Sequence, residues 1–364
     1  GFSKGVMLPY RALWSNIDFA KGVLGKTIKK GDNTISILPM AHMYGMSFEF
    51  LFEFLHGCHV FYLTRVPSPA IIAQAFKDVK PAIVIAVPLV IEKIIRKKVF
   101  PQIQNTKVKL LMKMPGVGKK VKKRICEQVY QAFGGNLYEV IIGGAALNQE
   151  IESFLKDIDF PFTVGYGATE CAPIITYSDW HDFVPMSCGR EVVHMEVKID
   201  SENPETVPGE ILARGLNVML GYYKNDEATA QTIDKDGWYH TGDLGLMDKG
   251  GNVFIKGRSK NMLLGPNGQN IYPEEIEDKL NSMTFAMESV VVQRDGKLVG
   301  LVHPDFDEVH AMGLSRDDLQ SLMEENRVQV NANLPVYCKI AAIEIHDEEF
   351  EKTPKKSIKR YLYK

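Results

Sequence analysis

The first half of the chain alternates between short apolar runs and longer segments in which apolar residues recur every three or four positions. Runs rich in Val, Ile and Phe predict strands, and the longer periodic segments predict helices. This alternation is typical of an α/β fold with a mostly parallel sheet covered by helices. The predicted strands are residues 34–39, 59–64, 82–87, 138–142 and 162–164, and the predicted helices are residues 42–56, 70–77 and 150–155.

The pattern changes after residue 190, where short strand-like runs alternate with Gly, Pro and Asp turns. This predicts a small, mostly antiparallel, barrel-like β subdomain. Beyond residue 260, helix and strand patterns predict a separate α+β domain. We therefore expect a large α/β domain over 1–190, its β-rich subdomain over 191–259, and a C-terminal domain over 260–364. The elements predicted in these parts are strands 196–199, 209–213, 252–255, 289–294, 298–303 and 340–345, and helices 273–282 and 316–333.

Composition narrows the class of protein. A chain of 364 residues, 45% hydrophobic and 24% charged, is typical of a globular protein with more than one domain. The formal net charge of −2 argues against a general nucleic-acid binder. The five cysteines are odd in number and include no C-x-x-C pair, which fits core thiols in a reducing cytoplasm and argues against a zinc site.

Three short motifs occur in a fixed order: YGATE at 166–170, WYHTGD at 238–243 and KGRSKN at 256–261. The first offers an aromatic face, a hydroxyl and a carboxylate. The second ends in a carboxylate that could accept from sugar hydroxyls, and the third contains an arginine that could donate to the same sugar. With GEI at 209–211 and GYY at 221–223 between them, they resemble the adenylate-forming superfamily of acyl-CoA synthetases, luciferases and peptide-synthetase adenylation domains.

The resemblance covers the whole chain and implies the adenylate-forming fold and its chemistry. In that family ATP and a carboxylate give an acyl-adenylate, pyrophosphate leaves, and a thiol takes the acyl group. The family's motifs imply that Tyr166 packs on the adenine, that Thr169 donates to the α-phosphate, and that Glu170 holds Mg²⁺ directly or through water. The nucleotide-binding residues implied are Gly143, Gly144, Ala145, Tyr166, Gly167, Thr169, Asp243 and Arg258.

The start of the chain is similar to the end of the family's phosphate loop, in which backbone N–H groups and a lysine hold phosphate. Lys4 and Gly5 are the implied remnant of that loop. We therefore expect a C-terminal part of a longer enzyme that adenylates poorly by itself and self-associates through uncovered apolar surface.

The C-terminal domain carries further implied positions. Lys260 matches the hinge about which this domain rotates between the two half-reactions, and Gly268 and Gln269 match the loop that faces CoA. The family also carries an adenylation lysine four residues after a threonine, but here Thr353 is followed at that spacing by Ser357.

Three explanations of that departure stay open. Lys356 could serve after a one-residue shift, Lys359 could serve because it shares a face with Ser357 in an extended segment, or the first half-reaction is impaired. We favour a substitute lysine, with Lys356 before Lys359.

The acyl substrate is inferred from the region around His42, at the start of the helix predicted at 42–56. His42 and Gly165 resemble residues of the family's acyl pocket. Relatives that activate amino acids carry an aspartate near His42, and residues 40–46 contain none. An apolar acyl chain is therefore favoured, although an apolar stripe at helical spacing also fits a protein core.

A basic segment spans residues 93–124, with no acidic residue between Glu92 and Glu127 and with apolar residues interleaved. It resembles a segment of the long-chain fatty acyl-CoA synthetases. Such a surface can lie on anionic lipid or attract the phosphates of CoA, and a solvated face is the alternative.

The sequence thus predicts a long-chain fatty acid–CoA ligase that uses ATP, Mg²⁺ and coenzyme A. It is expected in the cytoplasm, with the inner face of a membrane as a further site, and with no nucleic-acid partner. One alternative is a fatty acyl-AMP ligase that passes the acyl group to a carrier protein. Another is a catalytically incompetent nucleotide- or acyl-binding fragment. Acyl chain length, thiol acceptor and oligomeric state stay open.

Overall fold

The computed structural model describes residues 4–64, 68–103, 110–112, 114–265, 268–353 and 358–363. The chain divides into two compact units. The first comprises Gly1–Thr241 and Gly245–Ile255, and the second comprises Gly242–Leu244 and Lys256–Lys364. The continuous part of the second unit thus begins at Lys256, whereas the boundary predicted from the sequence is residue 260. The predicted three-part division stays a prediction.

Parallel strands form the centre of the first unit, as predicted. β2 and β3 pair in parallel, and β4, β5 and β6 form a three-stranded parallel sheet in that order. The strands are β1 (Val6–Met7), β2 (Asn33–Ser36), β3 (His59–Tyr62), β4 (Ile83–Ala86), β5 (Glu139–Ile142) and β6 (Phe162–Val164). The helices are α1 (Tyr10–Leu24), α2 (Glu53–His56), α3 (Pro69–Val79), α4 (Pro88–Ile94), α5 (Phe100–Ile103), α6 (Val117–Ala132) and α7 (Gln149–Asp157).

The buried residues of β4 and β5 explain why both strands were predictable. Every residue of both strands is buried, since the sheet is covered on its two faces. Helix α3 packs over the sheet through Phe76, whose ring stacks on Phe133 with centroids 5.3 Å apart. The core of this unit therefore lies on both sides of the parallel strands.

The helix predicted at 42–56 is a π-helix over Gly45–Phe52 that continues into α2 and ends at Gly57, whose φ is 84°. Its buried face carries the carboxyl groups of Glu49 and Glu53, which the mostly apolar sequence of the segment did not lead us to expect. Glu49 accepts hydrogen bonds from the backbone N–H groups of Ile37 and Leu38 at 3.1 and 2.9 Å. These bonds tie the helix to the segment that follows β2.

Short strands make up the rest of the first unit and reach the boundary of the second. β7, β8 and β9 form one sheet, β12 pairs antiparallel with β1, and β10, β11, β13 and β14 form a four-stranded sheet in that order. Their bounds, with the nearby helix, are β7 (Tyr166–Gly167), β8 (Ile174–Tyr177), β9 (Arg190–Glu191), β10 (Met195–Asp200), β11 (Gly209–Gly215), β12 (Gly221–Tyr222), α8 (Asp226–Thr232), β13 (Tyr239–Met247) and β14 (Val253–Arg258).

The second unit is the α+β arrangement that the sequence predicted. β17 and β18 pair antiparallel, and β18 pairs in parallel with β19. Its longest helix begins with a reciprocal cap between Ser315 and Asp318. The elements are β15 (Leu263–Leu264), β16 (Asn270–Ile271), α9 (Pro273–Asn281), β17 (Ala286–Arg294), β18 (Lys297–Pro304), α10 (Phe306–Ala311), α11 (Arg316–Ala332) and β19 (Ile340–Ile345).

Two observations bear on the class of protein. The five cysteines all carry free thiols. Within the described ranges, the helices are too short or too polar to cross a bilayer.

Glu139 gives a prediction about stability. It is fully buried in β5 and accepts a hydrogen bond from the Tyr177 hydroxyl at 2.6 Å. Burial raises the pKa of Glu139 from 4.5 to about 8. The folded state therefore holds this proton more tightly than the unfolded state. Its contribution is full below the unfolded pKa and is lost as the pH rises through about 8.

We predict that Glu139→Gln makes the free energy of unfolding less dependent on pH between about 5 and about 9. Urea unfolding at several pH values measures this, and Glu127→Gln at an exposed position of α6 is the matched control. An unchanged pH dependence in Glu139→Gln would contradict the assignment.

Candidate active site

The carboxyl ends of β4, β5 and β6 bring predicted site residues together. Ile142 of β5 lies opposite Val164 of β6. Gly143, just past β5, donates its N–H to Ala86 O at 3.0 Å, and Gly165, just past β6, donates to Ile142 O at 2.9 Å. In open parallel sheets ligands bind at this edge. The structure therefore places Gly143 and Gly165 side by side where a ligand would enter.

Tyr44 lines this edge, although the sequence analysis gave it no role. Its hydroxyl donates to Ile141 O at 3.1 Å. A Cβ added to Gly143 would lie 3.2 Å from the Tyr44 ring, so a larger residue at 143 would displace the ring. Gly144 and Ala145 are exposed beyond this contact. The loop after β5 thus presents open backbone at the sheet edge.

His42 lies two residues before Tyr44, in the turn that precedes the π-helix. It is half-buried, and its backbone N–H donates to Pro39 O at 3.0 Å. The structure therefore places His42 and Tyr44 on one short segment.

The YGATE motif occupies β7 and a single 3₁₀ turn over Thr169–Cys171. Tyr166 is buried, whereas Gly167 is exposed. A Cβ at Gly167 would lie 2.2 Å from Pro173 O, so only glycine fits where these backbone segments cross. The 3₁₀ turn that carries Thr169 and Glu170 therefore follows directly after this close backbone crossing.

Glu170 is held by two contacts from the segment around β12. Its carboxylate Oε1 accepts from the Tyr222 hydroxyl at 2.8 Å, and its backbone oxygen accepts from Met219 N at 2.8 Å. Burial and the neighbouring Glu170 charge raise the pKa of Tyr222, which keeps the phenol protonated as a donor.

The N-terminal segment reaches the same place through the pairing of β1 with β12. Tyr223 N donates to Gly5 O at 2.7 Å, and Lys4 Nζ lies 4.4 Å from the centroid of the Tyr222 ring. The structure thus places Lys4 against Tyr222, the residue whose hydroxyl bonds Glu170, and Gly5 against the neighbouring Tyr223. The GYY motif alone does not predict this role for Tyr222, because its contact with Glu170 joins residues that are far apart in the sequence.

Asp243 and Arg258 lie together in the second unit. Arg258 Nε and Asp243 Oδ1 are 2.9 Å apart, and the Asp243 side chain is 9% exposed while that of Arg258 is 53% exposed. Ser259 Oγ donates to Gly242 O at 3.2 Å beside them. The pair therefore presents an exposed guanidinium that is oriented by a buried carboxylate.

The positions predicted for hinge and CoA-side loop are also in this unit. Lys260 is exposed in a 3₁₀ turn over Ser259–Asn261. Gly268 donates its N–H to Gly265 O at 2.9 Å, and Gly265 donates to Gln269 O at 2.8 Å. Their predicted roles stay predictions.

The C-terminal lysines are described only in part. Lys356 and Ser357 lie outside the described residues. Lys359 Nζ pairs with Glu351 Oε2 at 3.0 Å, and this contact raises the pKa of the Lys359 ammonium. Arg360 forms a close pair with the buried carboxylate of Glu277. The choice between Lys356 and Lys359 stays open.

A protein-only metal cluster is not found in the part of the chain that the structure describes, since no three His, Cys, Asp or Glu side chains are grouped to hold an ion. Glu170 is a single oriented carboxylate. That suits Mg²⁺, which binds through one or two carboxylates and completes its shell with water and substrate phosphates.

Comparisons with known proteins identify the family. The model of the AMP-binding enzyme family matches residues 1–223. The chain is 28% identical to Long-chain-fatty-acid–CoA ligase ACSBG2 of Rattus norvegicus over 82% of this chain and 47% of that protein. It is 29% identical to Long-chain-fatty-acid–CoA ligase of Escherichia coli O6:H1 over 86% of this chain and 48% of that protein. The chain therefore spans about half the length of these relatives.

Solved structures of adenylate-forming enzymes share the fold. ATP-bound MatB from Rhodopseudomonas palustris superposes with a TM-score of 0.74 at 21% identity, over 100% of this chain and 65% of that chain. O-succinylbenzoate coenzyme A synthetase (MenE) from Bacillus subtilis in complex with AMP superposes with a TM-score of 0.75 at 20% identity, over 100% of this chain and 66% of that chain. The fold predicted from the sequence is confirmed.

The fold, together with the family match over residues 1–223, places the chain in the class of adenylate-forming enzymes. This chain belongs to the family of AMP-binding enzymes.

Proposed function

We propose that the enzyme containing this chain activates a fatty acid as acyl-AMP with ATP and Mg²⁺ and transfers the acyl group to coenzyme A. The observation that carries the proposal is the grouping of Lys4, Tyr222 and Glu170. An ammonium and a carboxylate set against one ring provide a cation for phosphate oxygens and a ligand for the metal that accompanies them.

The nucleotide would bind at the edge formed by the loops after β5 and β6. Tyr166 would pack on the adenine, with Gly143, Gly144, Ala145 and Gly167 along the slot. Thr169 would donate to the α-phosphate. Mg²⁺, bound to Glu170, would neutralise charge on the phosphates. For Asp243 and Arg258, which form an ion pair within the second unit, we propose a role as partners of ribose hydroxyls.

The fatty acid is supported by two observations. The relatives named above are long-chain fatty acid–CoA ligases. The segment at 40–46, which contains His42 and Tyr44, offers no carboxylate to pair with an amine. We therefore propose that His42 and Gly165 border the acyl chain, and that Lys260, Gly268 and Gln269 serve the thioester-forming arrangement.

Pyrophosphate exchange with a panel of carboxylic acids, followed by a thioester assay, tests the proposal on the intact enzyme. Medium- and long-chain fatty acids should support exchange, and CoA should then be acylated. Better exchange with amino acids would refute the substrate class. Exchange without acylation of CoA, together with acylation of a carrier protein, would favour the carrier-dependent ligase. No exchange with any acid would favour a non-catalytic binding role.

Asp243→Ala should weaken ATP binding. The substitution removes the carboxylate that orients Arg258 and would accept from the ribose, and loss of a hydrogen bond to a charged group costs about 1.5–3 kcal/mol. Titration calorimetry with ATP measures the change, and Asp236→Ala in an exposed turn is the matched control. Equal ATP affinity in both variants would leave Asp243 as a structural ion-pair partner only.

The C-terminal lysines give a second prediction. One of the two variants Lys356→Ala and Lys359→Ala should lose acyl-AMP formation while thioester formation from supplied acyl-AMP persists, because a lysine near the α-phosphate acts only in adenylation. Lys356→Ala is expected to show the larger loss, and Lys355→Ala is the neighbouring control. Full adenylation rates in all three variants would show that no substitute lysine exists.

We propose that the enzyme is cytoplasmic and associates peripherally with anionic lipid, and helix α6 supports the association. Lys119, Lys120, Lys123 and Arg124 are exposed on it, while Lys122 pairs with Asp157 at 2.5 Å. Apolar side chains are exposed just before them, at Leu110 (64%), Leu111 (38%), Met114 (44%) and Val117 (40%). Cationic and apolar groups on one exposed stretch are what an anionic bilayer surface binds.

Charge reversal at Lys119, Lys120 and Lys123 should therefore reduce binding to vesicles that contain anionic phospholipid, and added salt should reduce wild-type binding, because exposed charges are screened over about 8–10 Å. Sedimentation with anionic and neutral vesicles measures this. Reversal at Lys249, in an exposed turn elsewhere, is the control. Equal vesicle binding by the α6 variant and the wild type would mean that the basic face of α6 is exposed to water and does not bind lipid.

A further inference from the structure

Tyr222 is rigidly placed before any ligand binds. It is 4% exposed, its backbone pairs with Val6 of β1, and its N–H donates to Thr229 Oγ1 at 2.9 Å. A buried ring on a paired strand has little freedom to rotate or shift. Its hydroxyl is therefore a fixed donor, in contrast to the longer and more flexible side chains around it.

Glu170 depends on that donor for its side-chain direction. The carboxylate is carried by a single 3₁₀ turn, and its Oε1 accepts from the Tyr222 hydroxyl at 2.8 Å. A glutamate has three side-chain torsions, so without a partner its carboxylate would sample several positions. A bond to one oxygen orients the other oxygen as well.

The face of the same ring holds Lys4. Its Nζ lies 4.4 Å from the ring centroid, within the range of a cation–π contact. One aromatic side chain thus contacts the cation and the anion that the proposed function assigns to phosphate and to metal. The hydroxyl and the ring face act on different partners and can be separated by mutation.

We propose that Tyr222 is a positioning residue, which fixes Glu170 through Oε1 so that Oε2 faces the metal ion, and which holds Lys4 through its ring. The inference rests on the proposed function, because it gives Tyr222 a role only if Glu170 binds the metal that accompanies ATP. Tyr222 itself touches neither substrate nor metal in this account.

Mn²⁺ binding to the intact enzyme in the presence of ATP, monitored by electron paramagnetic resonance, tests the inference without turnover. Tyr222→Phe keeps the ring and removes the hydroxyl. We expect Mn²⁺ to bind about tenfold more weakly, since a hydrogen bond to a charged group is lost. ATP affinity without metal and the KM for the fatty acid should not change. Tyr223→Phe is the matched control, because residue Tyr223 is 61% exposed, and it should bind Mn²⁺ as the wild type does.

Glu170→Gln separates failure of the inference from failure of the proposed function. If Glu170→Gln leaves Mn²⁺ binding unchanged, the metal role of Glu170 is wrong and the inference falls with it. If Glu170→Gln weakens Mn²⁺ binding and Tyr222→Phe does not, only the positioning role of Tyr222 is overturned. The double variant should bind Mn²⁺ no more weakly than Glu170→Gln, because the two residues would act as one unit.

Thermal unfolding of each variant shows whether the fold is kept. If Tyr222→Phe does not fold, Glu170→Asp gives the second measurement, because it retains the charge and draws the carboxylate away from the phenol. Weaker Mn²⁺ binding with unchanged metal-free ATP affinity is the expected result. Wild-type Mn²⁺ affinity in Glu170→Asp would overturn the inference.

Discussion

The parallel register of β5 and β6 is the constraint on which the site in the first unit depends. Because Ile142 lies opposite Val164, the strands end at the same level and Gly143 and Gly165 become neighbours. Both strands are buried throughout, and a shift of one residue would turn core side chains toward the opposite face. The packing that stabilises the sheet therefore also fixes the positions of Gly143 and of Gly165, which directly precedes the YGATE motif.

Buried carboxyl groups border this sheet. Glu49 and Glu53 lie on the helical segment after β2, and Glu139 lies within β5. Burial raises the pKa of Glu49 and of Glu139 to about 8. Each of these carboxyl groups has hydrogen-bond donors near it, which offsets part of the cost of removing it from water. The bonds from Glu49 to the segment after β2 restrain the chain that leads to His42 and Tyr44.

Much of the fold was predictable because its strands carry simple patterns. The runs at β4 and β5 are apolar throughout, and β10 alternates buried Met195 and Val197 with exposed Glu196 and Lys198. Helix α1 was not predicted, because polar Asn16 lies on its buried face, where it donates to Cys171 O at 3.2 Å and blurs the apolar period. Helix α6 was noticed for its charges and not as a helix, since lysines dominate its sequence.

The candidate site was predictable only where a motif carries it. The motifs pointed to Tyr166, Glu170, Asp243 and Arg258, and the structure pairs Asp243 with Arg258. Tyr44 and Tyr222 could not be assigned roles from the sequence, because their contacts join segments far apart in the chain. No local pattern encodes such contacts, which arise from strand pairing and packing.

We propose that this site is built for a fatty acyl-adenylate. Calorimetric titration of the intact enzyme with a non-hydrolysable acyl-adenylate analogue, in which a long acyl chain is joined to adenosine through a sulfamate, tests it most directly. The account predicts that this analogue binds much more tightly than ATP or the fatty acid alone, and more tightly than the corresponding aminoacyl analogue. Tighter binding of the aminoacyl analogue, or no binding of either, would contradict it.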